Sequence, residues 1–563
     1  MLLKKSELNF ILKTLDKRTK LRFAFFFFLV ILVAIGEYFT IGESGIFAKK
    51  LLGIKSAESL DKILGIDHSL IFLILVIITN TGRALISYYG LRLSFISSSQ
   101  VCQKVYNNYL QQNYLKYLSI NSSELISVIT TKINTLATDL ILPFIRISSS
   151  ILIIIFIGIS IFKKAPLYSI FSLFSVFISY LIVSLITSNS MKKNSIILSR
   201  NSSKNIKIVQ ETVISFREIK LSGFENKFFN QFANNEFALR LADANVRVLS
   251  EIPRYVIESM IFAMIIIVSL IFNSYTNSNN SILISSLGSF LYGSQRLLPL
   301  AQNTYRSYST IRASTFSIKD IIKFINFRDT RNNRNKAKVS FNKKIILKSV
   351  GFSYPKTKNI VLENCNLEIN KGDFICIVGK TGSGKSTLID IIMGLITPTK
   401  GKLYVDNQDI NKNNQSAWMR KISHVPQEII LMDDTIRRNI AFGFSDSEID
   451  NEQLNNAIKL SSLDKVISNL KNGLDTIVGE RGLLLSGGQK QRIGIARAIY
   501  QNKEIMVLDE ATSALDKKTE SMILFNLINY CEESTLIMVT HRPKVEIKYD
   551  KTITIKDLSI YNL

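Results

Sequence analysis

Cysteine and histidine are scarce in this 563-residue chain, four and three respectively. Cys102, Cys365, Cys376 and Cys531 are scattered without CxxC spacing, which argues against a zinc site or a disulfide scaffold and fits reduced cytosolic thiols. His68, His424 and His541 lie far apart, so no metal cluster is visible. Acid is also in short supply: 44 Asp and Glu face 70 Lys and Arg, a formal net charge of +26. Nucleic-acid binding would use such a charge, yet no aromatic-basic single-strand or RNA-recognition pattern accompanies it, and no nucleic-acid partner is expected.

Against that charge stands a hydrophobic share of 47% and a positive mean hydropathy of +0.19. Soluble enzymes rarely combine the two, whereas a membrane protein with basic cytoplasmic loops does so naturally. The chain is too long for one core, so two or more domains are expected. Six apolar segments are long enough to cross a bilayer, at about 22–42, 69–93, 138–162, 165–188, 253–273 and 281–303. The basic start before "AFFFFLVILVAIG" is too long for a signal peptide and no small-residue cleavage site follows, so the first segment reads as an uncleaved span. From about 340 the pattern changes to short β-rich runs alternating with helical stretches, an α/β domain with a mostly parallel sheet. The expected organisation is an α-helical six-span transmembrane domain (1–325), a polar linker (326–340) and an α/β P-loop ATPase domain (341–563).

Loop charge gives the orientation. Residues 189–254 carry eleven Lys and Arg, while "NSYTNSNNS" (273–281) carries none. The positive-inside rule places the first loop in the cytoplasm and the second outside. With six spans both termini are cytoplasmic, in an inner (cytoplasmic) membrane.

"GKTGSGKS" (Gly379–Ser386) fits the GxxxxGK[ST] pattern, follows the strand "DFICIVG" and opens the helix "STLIDIIMG". Its glycines let backbone N–H groups close around phosphates, and the helix N-terminus adds partial positive charge. Lys385 is expected at the β- and γ-phosphates and Ser386 at Mg²⁺. The strand "EIMVLDEATSALD" (504–516) ends in two carboxylates, Asp509 to hold Mg²⁺ and Glu510 to polarise the attacking water. His541, after the strand "TLIMVT", is placed to contact the γ-phosphate and that water. In "LLLSGGQKQRIGIARA" (483–498), Ser486, Gly487 and Gly488 can present N–H groups to a second set of phosphates.

These motifs together resemble the ABC-transporter ATPases, over the whole of about 340–563. The resemblance implies ATP and Mg²⁺ as cofactors, held by Gly379, Lys380, Thr381, Gly382, Ser383, Gly384, Lys385, Ser386 and Thr387, with Tyr354 of "FSYP" stacking adenine. It implies that Gln427 of "HVPQ", the family's sensor loop, reaches the metal and the water. "VGERG" (478–482) resembles the loop that couples ATPase to membrane domain in exporters. In the family the loop Ser486, Gly487, Gly488 and Gln489 completes the phosphate site of the opposite subunit, so a second copy of the chain is the expected partner.

Six spans followed by an ATPase resemble an exporter half-transporter, with 117–134 and 215–232 in the positions of coupling helices. Within the exporters, four short stretches resemble the flippases for lipid-linked oligosaccharides of bacterial protein N-glycosylation. They are "IGEYFTIG" with Glu37, "GRALIS" with Arg83, "IPRYVIES" with Arg254 and Glu258, and "YGSQRLLP" with Arg296. The segment 43–69 has the length of those flippases' external helix, and its apolar positions suit an interfacial helix. Arg83, Arg254 and Arg296 are candidate contacts for a substrate pyrophosphate, since guanidinium suits bidentate phosphate recognition. The alternative is that Arg83 and Arg296 pair with Glu37 and Glu258 and hold the bundle together. The expected function is ATP-driven transport of a lipid-linked glycan or similar polar-headed lipid. An exporter of apolar drugs or lipid A-type lipids, a peptide exporter, and an ATP-gated channel or regulatory ATPase are the alternatives.

Overall fold

The computed structural model describes residues 13–562 apart from 52–67, 165, 276–279, 327–337, 356, 358, 531–533, 542–547 and 557–558. By packing the chain divides into two units. The first comprises residues 1–112 and 119–328, and the second residues 113–118 and 329–563. Most of the expected linker and of the expected external helix therefore lies outside the described residues.

The first unit is all-helical. The long helices are α1 (Lys17–Leu51), α2 (His68–Leu110), a continuous run from Ser122 ending in α3 (Leu142–Lys164), α4 (Pro166–Ile214), α5 (Glu225–Tyr275) and α6 (Asn280–Ile325). Three of these, Lys17–Leu51, His68–Leu110 and Ser122–Lys163, carry a stretch apolar enough to cross a membrane among the described residues. In α1 the residues Phe26, Val30, Val33, Glu37 and Ile41 are buried at helical spacing, while Phe25, Phe28, Leu32, Ile35 and Phe39 stand exposed. A helix that is apolar all round yet buries only one face suits lipid on the other. The helices overrun the apolar segments: α4 continues well past residue 188 as polar sequence. Two π-helical turns, Val128–Lys132 and Ala137–Ile141, interrupt the run that leads into α3. Near the first of them Lys132 is buried against Asp320, and Ser199 donates to the same carboxylate at 2.7 Å.

The second unit holds two sheets. An antiparallel one has the order β2 (Ile360–Asn370), β1 (Lys344–Ser353), β4 (Lys400–Val405), β5 (Gln408–Asp409). The other runs β10 (Ser559–Asn562), β9 (Lys551–Lys556), β3 (Phe374–Gly379), β8 (Thr535–Thr540), β7 (Ile505–Asp509), β6 (Ile422–Val425), parallel except for the β9–β10 pair. Strands β3, β7 and β8 are almost wholly buried, as parallel strands covered on both faces must be. The single tryptophan, Trp418, is fully buried and donates from Nε1 to the Ile392 carbonyl at 2.8 Å, fixing the end of the helix that follows the phosphate loop. At that end Gly394 has φ +75°, and a Cβ there would meet the Trp418 ring at 2.9 Å, so only glycine closes this turn.

Candidate functional site

The expected nucleotide residues gather at the carboxyl ends of β3, β6, β7 and β8, the edge at which open parallel sheets bind ligands. After β3 the chain turns through Lys380–Gly384 into the helix Lys385–Ile392, capped by Gly384 at φ +99°. A Cβ on Gly379 would sit 2.7 Å from Ser383 Oγ and 3.0 Å from the Ile555 carbonyl. The Lys385 ammonium donates to the carbonyls of Gly379 (2.8 Å) and Lys380 (3.1 Å), which holds it folded over the loop. Ser383 Oγ is buried with no hydrogen-bond partner among the described residues. An unsatisfied hydroxyl, a helix N-terminus and a loop-held ammonium make a cradle short of negative charge, and a phosphate fits it. Tyr354 hydrogen-bonds through its hydroxyl to Thr387 Oγ1 at 3.1 Å and packs edge-on against Phe352, which pins its ring beside the loop.

The carboxylates sit opposite. Asp509 ends β7, and burial, then the neighbouring Glu510 charge, push its carboxyl up while Lys385 pulls it down. Ser386 is exposed, and Asp390 lies one turn further along the same face of that helix. Burial and then Asp509 push the Asp390 carboxyl up to about 6. Crowded carboxylates beside a hydroxyl are hard oxygen donors whose mutual repulsion a divalent cation relieves, so Ser386 and Asp509 fit Mg²⁺. Bound there, the ion would neutralise charge on the phosphate oxygens.

Glu510 has left-handed backbone geometry, φ +49°, fixed by its N–H donating to the Val539 carbonyl at 3.1 Å. That turn throws its side chain between two others. Gln427 Nε2 donates to Glu510 Oε2 at 2.7 Å, and His541 Nε2 lies 2.9 Å from Glu510 Oε1. The three residues expected around the attacking water thus form one hydrogen-bonded group.

Ser486 caps the helix Gly487–Tyr500. Its N–H donates to Gln489 Oε1 at 2.8 Å while its Oγ accepts from the Gln489 N–H at 3.3 Å. Among the described residues, none of Ser486–Gln489 bonds to the phosphate loop of the same chain. One turn later a residue that sequence reading passed over, Gln491, donates to Ser513 Oγ (3.0 Å) and accepts from the Ala514 N–H (2.8 Å). It ties this helix to the turn that follows the two carboxylates. Asp390 and Tyr114 were passed over too. Asp390 left one signal, a lone charge in an apolar helix. Tyr114 left none, because its neighbours Asp390 and Tyr354 are remote in sequence.

The segment 117–134, expected as the first coupling segment, is divided between the two units at its start. A short helix, Tyr114–Leu118, belongs to the second unit, with Tyr114 and Leu115 against its core, whereas Ser122 onward continues into the third membrane helix. The second expected coupling segment, 215–232, contains the helix Phe216–Ser222, ended by Gly223 at φ +67°, with Phe216, Leu221 and Phe224 exposed.

In the first unit α1 and α2 run antiparallel. They approach closely at glycines: a Cβ on Gly82 would meet Val33 at 2.5 Å, and one on Gly36 would meet Thr79 at 2.9 Å. This closeness sets Arg83 Nε 2.8 Å from Glu37 Oε1, the acid fully buried. Glu37 Oε2 and Arg83 Nη2 remain buried with no hydrogen-bond partner among the described residues. Arg296 lies close enough for its charge to act on Arg83, but its partners are neutral: Asn80 Oδ1 at 2.9 Å and the Tyr292 hydroxyl at 2.8 Å. Arg254 stands apart, more than half exposed and 3.7 Å from Glu258, near Tyr180. The structure therefore brings together two of the three expected substrate arginines.

Residues 362–513 match the family model described as ABC transporter. A Rickettsia typhi protein provisionally named as an export ATP-binding/permease protein is 27% identical over 509 residues, 86% of this chain and 84% of that one. The ATP-dependent lipid A-core flippase of Francisella novicida is 29% identical over 364 residues, 63% of this chain and 61% of that one. Among solved structures, a bacterial Atm1-family ABC exporter with ATP bound superposes with a TM-score of 0.82 at 20% identity, covering 97% of this chain and 95% of that one. The carboxyl-terminal unit is an ABC transporter ATPase domain, and the chain as a whole has the membrane-embedded fold of an exporter-type ABC half-transporter.

Proposed function

We propose that this chain, paired with a second copy across six spans each, uses ATP hydrolysis to flip a lipid with an anionic polar head across the inner membrane, and that a lipid-linked oligosaccharide is the substrate. One observation carries the substrate reading. The cluster of Glu37, Arg83 and Arg296 holds two guanidiniums and one carboxylate, leaving a net positive charge among apolar helices. Uncompensated charge at such depth is costly, by roughly 3 kcal/mol or more, and is retained where it serves a ligand. Arg83 already has an acid, so Arg296, with only neutral partners, is the better phosphate contact. The name of the Francisella novicida relative favours a second reading, a lipid A-type substrate, whose head is also anionic.

Pairing is supported by the Ser486–Gln489 loop, whose cap closes on itself, Ser486 with Gln489, and not on the phosphate loop of its own chain. In each ATP site Lys385 and the phosphate loop bind the nucleotide, Tyr354 orients its base, and Glu510, held by Gln427 and His541, positions and deprotonates the water. The test is a flipping assay in proteoliposomes with a fluorescent polyprenyl-pyrophosphate glycan. The wild type should move the probe out of reach of an outer-leaflet quencher when ATP is present, and Arg296→Ala should abolish this while basal ATPase survives. Normal flipping by Arg296→Ala refutes the phosphate contact, and flipping of a lipid A-type probe alone favours the second reading.

A further inference from the structure

We infer that the outward faces of α1 and α2 form a binding site for an anionic phospholipid, with Arg22 and Arg92 gripping the phosphate above a shallow apolar depression.

The two helices share one antiparallel register along their length. Gln100 Nε2 donates to Asp16 Oδ2 at 3.1 Å, the Phe25 and Tyr89 rings meet edge-on at 6.1 Å, and Gly36 and Gly82 lie against Thr79 and Val33. Arg22 precedes Phe25 by three residues and Arg92 follows Tyr89 by three. Both are therefore displaced about 4.5 Å to the same side of that ring contact. The outward direction follows from what is packed. Phe26 is 1% exposed, and it and Ile145 lie where a Cβ on Gly90 would touch them. Phe25 and Phe28, on the other side of α1, are 52% and 55% exposed.

Leu21, Arg22, Ala24, Phe25 and Phe28, all on α1, line a shallow, open and mostly apolar depression of about 570 Å³. The apolar run of α1 begins at Arg22 and that of α2 ends at Arg92, so the pair lies at headgroup depth with the depression on the side of the acyl chains. Arg92 donates to the Tyr88 hydroxyl at 2.6 Å and lies 5.4 Å from its ring centroid, an amphipathic pair suited to the interface. Among the described residues neither guanidinium has a carboxylate partner, and the acid nearest along α1, Asp16, is engaged by Gln100. Exposed Lys17, Arg18 and Lys20 add to the same end. A ligand with one phosphate and long apolar chains matches both parts, and headgroup phosphates attract clustered arginines in this way.

The test places full-length protein in nanodiscs of neutral phosphatidylcholine with added phosphatidylglycerol. Native mass spectrometry should find phosphatidylglycerol retained by the wild type, about thirty-fold less by R22Q/R92Q, and nearly as much by R22K/R92K. ATPase activity in purely neutral discs should be equal in all three, which shows that the variants fold. Equal retention by wild type and R22Q/R92Q overturns the inference. Inorganic phosphate displacing the lipid at millimolar concentration overturns it as well, by making the site one for a free anion. Disulfide formation between two copies of Phe28→Cys does so by covering the depression with the partner chain.

Discussion

Replacing Glu510 by glutamine removes one negative charge and the basicity of the carboxylate while keeping the shape. In the wild type one oxygen accepts from Gln427 at 2.7 Å and the other faces His541 at 2.9 Å. The amide keeps the first bond through its carbonyl, but it neither takes a proton from water nor offers His541 a charge. A positioned general base contributes typically 10²–10⁴-fold, so turnover should fall by roughly 10²–10³-fold. Binding should survive, because Glu510 is one of the charges that push Asp509 up, and its loss leaves the metal ligand more readily ionised. Phosphate release in nanodiscs, measured beside retention of labelled ATP after gel filtration, separates the two effects. The expected result is slow release with ATP retained. Turnover within threefold of wild type refutes the assignment of Glu510 to the water, and loss of retention in proportion to turnover refutes its separation from binding.

Two further substitutions test burial and charge. Asp390 holds its proton up to about 6 when folded, well above an unfolded aspartate, so its contribution to stability falls as pH rises from about 4 to about 6 and stays unfavourable above. The full effect would be about 3 kcal/mol, reduced by partial exposure to about 1 kcal/mol. Asp390→Asn should therefore unfold at higher temperature than wild type at pH 7.5 in EDTA, with the difference closing toward pH 4, and no difference at pH 7.5 refutes the reading. Glu37→Gln strips the acid from a buried pair and should cost on the order of 3 kcal/mol in thermal unfolding, whereas Glu37→Leu with Arg83→Met should recover most of it. Equal loss in the single and double variants would mean that the pair does not hold α1 to α2.

The ATPase half was legible because its chemistry is local. Gly379–Ser386 must follow a strand and open a helix, and Asp509 and Glu510 must end a buried strand, so order along the chain already gives place in the fold. The membrane half was legible in outline, because apolar length marks where a helix crosses. It does not mark where the helix stops: α4 runs on through polar sequence to Ile214, and a separate short helix, Tyr114–Leu118, overlaps the start of the first expected coupling segment. The pairing of Arg83 with Glu37 was open as one of two readings, since two charges in adjacent spans have reason to meet. That Arg296 would meet Asn80 instead of an acid was not legible, because it depends on the rotation of α6 against α2, to which hydropathy is blind. Gln491 was hidden for a related reason: its partners lie more than twenty residues on, in a turn whose position only the folded sheet defines.

The two π-helical turns ahead of α3 have a mechanical consequence. Each carries one residue more than an α-turn would in the same length of helix, a small reserve of chain within a rod. Releasing one reserve into regular α-geometry would turn everything on one side of it by about 100° and advance it by about 1.5 Å, with no loop to unfold and few hydrogen bonds to exchange. Lys132 sits at the end of the first reserve with its ammonium fastened to Asp320, so releasing that reserve would have to break this ion pair. The run from Ser122 into α3 is then a rod whose length and rotation come in single-residue steps.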